Sequence, residues 1–105
     1  MTGDEMKCKI IAEQTLLASV IYDNRRFVDA RILIDPNAFS LDLHRIIYEA
    51  MIGLYDGHEF IDYINLSEKL LSTGQITAFT YLKYFHAWPV SEDISSLARS
   101  ILNHG

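Results

Sequence analysis

The stretch SLDLHRIIYEAMIGLYDG, residues 40 to 57, decides the fold. Leu43, Ile46, Ile47, Ala50 and Leu54 recur at steps of three and four, which lines up one side of an α-helix and no face of a strand. Ser40 is placed to accept hydrogen bonds from the free N–H groups of the first turn, and Asp42 sets negative charge at the positive end of the helix dipole. Gly57 is placed to end the helix in the left-handed conformation that other residues avoid. Arg45 and Glu49, one turn apart, read as an exposed ion pair worth roughly a few tenths of a kcal/mol.

The same period continues on either side. Upstream, Ile10, Leu17 and Ile21 form a row with Leu16 and Val20 beside it, and residues 1–9 read as a flexible lead-in. Asn24 is placed to cap a short second helix carrying Phe27, Ala30 and Ile34, which Pro36 stops. Downstream, Asp62 reads as the cap of a fourth helix bearing Ile64, Leu66, Leu70 and Leu71, with Gly74 as its stop. Thr77 begins a fifth, with Ala78, Tyr81, Leu82 and Phe85 on its face and Pro89 closing it. Ser91, backed by Glu92 and Asp93, opens a sixth carrying Ile94, Leu97, Ala98, Ile101 and Leu102. No strand pair flanks a hairpin turn, because Asp56-Gly57 follows a helical pattern. The expected fold class is all-α: a compact orthogonal bundle of about six short helices, one domain over residues 1–105.

With 105 residues, 50% of them apolar and 22% charged, the chain has ample material for one core. Fourteen acidic residues against nine basic ones give a net charge of −5, and only Arg25 and Arg26 pair their charge, so direct nucleic-acid binding is not expected. No apolar run approaches the roughly 20 residues that cross a bilayer, and MTGDEMKCK lacks a signal-peptide pattern. A cytoplasmic protein is expected, with no membrane partner. Cys8 has no second cysteine to bond and reads as inert despite Lys7 and Lys9 beside it.

Chemistry has its best opening around the same helix, where HRIIYEAMIGLYDGHEFID (residues 44 to 62) holds two histidines and four carboxylates. Zinc on a helix wants two ligands four residues apart, whereas His44 and His58 are separated by roughly 20 Å of helical rise. Asp56, His58 and Asp62 could gather in the loop to serve a small metal-dependent hydrolase, although Asp62 is better explained as a cap. No phosphate loop, nucleophile elbow or paired CxxC occurs. The chain is therefore expected to have no catalytic residues, cofactor or metal. In YLKYFHAW, residues 81 to 88, Tyr81 and Phe85 fall on the buried row, leaving Tyr84 and Trp88 on another face. Aromatic and arginine side chains off the core rows anchor protein contacts, which nominates Arg25, Arg26, Tyr55, Tyr84 and Trp88 as a partner interface.

Five segments in order carry a resemblance. AEQTLLASV from Ala12, FSLDLHRIIYEAMIGL from Phe39, FIDYINLSEKL from Phe60, the Gly74 and Tyr81-Leu82 elements, and PVSEDISSLARSIL from Pro89 together resemble the N-terminal domain of the DnaB-type replicative DNA helicases. Ala18 stands where the family usually has glycine, Phe60 where it has proline, Asp93 for asparagine and Leu97 for tyrosine. The resemblance implies a globular head without catalytic role, whose ATPase lies in a separate domain and whose long helical hairpin is not included. It further implies docking of primase, a helicase loader or neighbouring helicase subunits, with the isolated head a monomer or weak homodimer. His44 then becomes a structural residue beside the core. A free-standing relative from a phage or mobile element, modulating a host helicase or loader, is the alternative.

Overall fold

The computed structural model describes residues 3–103. Six α-helices and two short 3₁₀ turns form its regular structure, and no strand occurs among the described residues. Helix α1 runs Gly3–Tyr22, so the lead-in expected to be flexible is helical from Gly3 onward; Met1 and Thr2 lie outside the described residues. Asp4 and Glu5 in its first turn meet the positive end of the helix dipole.

From Ala12 to Val20 every side chain of α1 is buried except the half-buried Thr15, because α2, α3 and α6 all pack against it. α1 is thus a central rod where the sequence suggested a one-sided stripe. Glu13, Gln14 and Ser19 go inside with the leucines, and each then requires a partner.

Helix α2 spans Arg26–Leu33 and starts without a side-chain cap. Asn24, the expected cap, is engaged elsewhere. Asp35 accepts from Asn37 N–H at 3.0 Å to cap a 3₁₀ turn at Pro36–Ala38. Helix α3, Asp42–Asp56, likewise lacks a side-chain cap; Ser40 turns its N–H and O–H onto Glu13 instead, at 2.8 and 2.7 Å. Its C-terminus also departs from expectation, since Gly57 keeps φ −86° and His58 takes the left-handed conformation at φ 58°. The reason is that the closing bonds, His58 N–H to Tyr55 O (3.1 Å) and Glu59 N–H to Leu54 O (2.9 Å), fall one residue later.

Helix α4, Tyr63–Ser72, starts at its expected cap, Asp62 accepting from Asn65 N–H at 2.8 Å, but of its expected apolar row only Leu66 and Leu70 are buried, while Ile64 and Leu71 face solvent. It ends at Gly74, φ 76°, through Gln75 N–H to Leu70 O at 2.8 Å. Helix α5, Ile76–Tyr81, tightens into a 3₁₀ turn at Leu82–Phe85, and α6 runs Ile94–Asn103. Asp93 caps α6 by accepting from Ser96 N–H at 3.0 Å, while Ser91 takes the supporting bond from Asp93 N–H. Leu16, Leu17, Phe27, Ile47, Tyr48 and Ile101 are buried to within 1% at the centre, each worth about 1.5–3 kcal/mol of apolar burial.

Candidate interaction surface

Inside the bundle the structure assembles an acid, a histidine and a tyrosine. Glu13 Oε1 lies 2.8 Å from His44 Nδ1, His44 Nε2 lies 2.9 Å from the Tyr81 hydroxyl, and that hydroxyl donates to Gln14 Oε1 at 3.0 Å. Burial alone would raise the Glu13 carboxyl, but hydrogen bonds from His44 and Ser40 overcome it and leave it below the ordinary carboxylate value. Burial and then the Glu13 charge push the Tyr81 phenol up. Acid–histidine pairs of this kind serve catalysis where substrate can reach them. Here Glu13 and His44 have no exposed side-chain surface, and among the described residues no buried side-chain nitrogen or oxygen lacks a hydrogen-bond partner. The network is therefore a structural joint between α1, α3 and α5. His44 is a structural residue as the resemblance implies, but it lies fully buried in the core and not beside it, and its partner Glu13 is the residue that sequence reading missed.

Asp56, His58 and Asp62 do not form a ligand set. Among the described residues no three His, Cys, Asp or Glu side chains gather to hold a metal ion, and Asp62 spends one oxygen capping α4. Asp56 and His58 instead line an open groove of about 640 Å³ with Tyr55, Glu59, Phe60 and Ile61.

The five nominated interface residues fall in different surroundings. Arg25 is 91% exposed and chelates Asp23, Nε to Oδ1 at 3.0 Å and Nη2 to Oδ2 at 2.8 Å; these bonds hold the Asp23 carboxyl down to about 2. Arg26 turns inward, donating to the Ser91 carbonyl at 3.1 Å and lying over the Tyr22 ring. Tyr55 is exposed on one side and rests on Phe27, ring centroids 5.2 Å apart. Tyr84 is exposed, with the Lys83 ammonium 5.4 Å from its ring. Trp88 is half-buried and donates from Nε1 to Thr15 Oγ1 at 3.0 Å. Arg25 and Arg26 share one recess, Tyr55 lines the groove and Trp88 a third hollow. Phe60 and Ile64, 77% and 70% exposed, stand out more than any of the nominated aromatics. The signal for Phe60 is its position between two helices, outside any row that demands burial.

Fold and site together define a class: a small all-helical domain whose acid–histidine pair is sealed and whose apolar outliers face solvent. The chain belongs to the family of the DnaB-like helicase N terminal domain, whose model matches residues 5–103. It is 24% identical over 96 residues to the replicative DNA helicase DnaB of Leifsonia xyli subsp. xyli (strain CTCB07), covering 91% of this chain and 20% of that protein. The fold matches the crystal structure of the N-terminal domain of DnaB helicase from Mycobacterium tuberculosis with a TM-score of 0.82, at 20% identity, over 90% of this chain and 68% of that one. The chain thus spans a fifth of the length of the helicase it matches. The matched region is the helicase N-terminal domain, which is not the catalytic ATPase domain.

Proposed function

We propose that this domain is a non-catalytic docking and oligomerisation module of a replicative DNA helicase, binding primase, a helicase loader or neighbouring helicase subunits in the cytoplasm during DNA replication. The family match across residues 5–103 carries the reading. Exposed apolar side chains support it, Tyr22, Ile32, Phe60 and Ile64 each being at least 70% exposed. The net charge of −5 favours a protein partner over nucleic acid, and no helix among the described residues is long and apolar enough to cross a membrane. Arg25, Tyr55 and Tyr84 would touch the partner, with Arg26 and Trp88 contributing their partly exposed edges. In isolation the domain is a monomer or weak homodimer. The test is a pull-down with the immobilised chain against purified helicase, primase and loader from the same cell. Retention of any of the three is expected, and retention of none refutes the proposal.

A further inference from the structure

We infer that the groove lined by the end of α3, the loop after it and Asn24 of the α1–α2 turn receives a cationic, apolar-faced segment of a partner protein. This deepens the docking reading, on which it rests for the class of partner. The groove is preformed. Its near end is fixed by the helix-closing bonds around His58, and its far end by Asn24, which bonds both the N–H and the carbonyl of Ile61. A wall already ordered loses little entropy when a partner arrives.

Its lining has two chemistries. Tyr55, 42% exposed, and Phe60, 77% exposed, supply aromatic surface, the material of interface anchors and of cation–π contact. Asp56 and Glu59 supply carboxylates, and neither forms an ion pair among the described residues. Among the described residues no lysine or arginine lines the groove, and His58 is its one other titratable lining side chain besides Tyr55 and the two carboxylates. Aliphatic side chains on the occupant would enter between the rings while its lysines or arginines meet the two carboxylates. The same charges repel a nucleic-acid backbone. They also disfavour a second copy of this chain, since a two-fold contact would set this acidic face against itself.

The test titrates the isotopically labelled chain with a synthetic Leu/Lys amphipathic helical peptide and with its Leu/Glu counterpart, read by amide chemical shifts. Expected are shifts centred on Tyr55–Ile61 with the Leu/Lys peptide, weakening at high salt, and none with Leu/Glu. Phe60→Ala should weaken binding about tenfold, and Asp56→Asn with Glu59→Gln about threefold. Phe60 is exposed, so its variant keeps the fold, as unchanged shifts elsewhere would certify. Absent binding, shifts elsewhere, equal binding of Leu/Glu, or full affinity in Phe60→Ala each overturn the inference. If the pull-down retains a helicase, primase or loader equally with wild type and both groove variants, the groove assignment falls while docking stands. If the peptide binds here and none of the three is retained, the partner class falls and the groove's preference for a cationic segment stands.

Discussion

Asn24 grips Ile61 from both sides of its backbone, its amide donating to the Ile61 carbonyl at 2.8 Å and its oxygen accepting from Ile61 N–H at 2.7 Å. The same amide reaches Val20 O at 3.0 Å, so one side chain ties the end of α1 to the loop before α4. Ile61 is 1% exposed and has no water to fall back on. Asn24→Ala should therefore cost about 2–4 kcal/mol in urea denaturation and speed amide exchange from Gly57 to Asp62. An unchanged midpoint would contradict the clamp.

Removing Glu13 strands His44 inside the bundle. Glu13→Ala should cost about 1–3 kcal/mol for the buried His44 it leaves unsatisfied, the loss of the part-buried Ser40 bonds adding to this, and a Glu13→Gln, His44→Gln double-mutant cycle should be strongly non-additive. The Glu13 carboxyl lies below its ordinary 4.5 in the folded state, so its contribution is present above that value and lost as pH falls through the folded one. The wild-type urea midpoint should drop on acidification below pH 4.5, and Glu13→Gln should flatten that limb. Parallel acid limbs would exclude the assignment.

Tyr48 governs the alkaline side. Burial pushes its phenol up to about 12, the Asp35 charge adding and Arg31 opposing, while its hydroxyl donates to Ile34 O at 2.9 Å. The neutral phenol's contribution is complete below the ordinary 10 and lost as pH rises towards about 12. Tyr48→Phe should lose about 1 kcal/mol at neutral pH yet denature less steeply in alkali, as thermal melts across that range would show.

The end of α3 offers a paired test. His58→Gly should stabilise by about 0.5–1 kcal/mol, because a residue with a Cβ is strained at φ 58°. Gly57→Ala should shift stability by no more than about 0.5 kcal/mol, since its φ is −86° and the new Cβ would meet only ordinary contact, Gly53 O at 3.4 Å. Were Gly57 the left-handed residue, the two melting shifts would be reversed.

What was legible in the sequence is what short-range geometry controls. The apolar rows, Pro36, the Asp62 cap and the Gly74 stop act within a turn or two of themselves, and the all-α class follows from them. Asn24 and Ser40 mislead because a side-chain oxygen beside a helix start looks like a cap. A cap is worth about 1 kcal/mol, and leaving the Ile61 backbone or the Glu13 carboxylate unpaired inside the fold costs more. Which demand wins depends on partners 37 and 27 residues away. Glu13 did leave a trace, three and four positions before Leu16 and Leu17 on the same face of α1. For the nominated surface, residue type and helix position anticipated that Tyr55 and Tyr84 face solvent, but they could not foresee Arg26 turning towards Ser91 or Trp88 reaching Thr15.

The enclosure of α1 also sets an order of events during synthesis. Within this domain the helix leaves the ribosome before the others, yet Gln14, Thr15 and Ser19 bond to residues 67, 73 and 72 positions downstream. The Thr15 and Ser19 hydroxyls donate to Ile11 O and Thr15 O within α1 itself, but the Gln14 oxygen and the accepting sides of both hydroxyls meet only water until that later chain has emerged, so the nascent rod stays hydrated along the side it will finally bury. The first of these six helices to be made is the last to be finished, and synthesis stalled before Ser91 would leave it still wet.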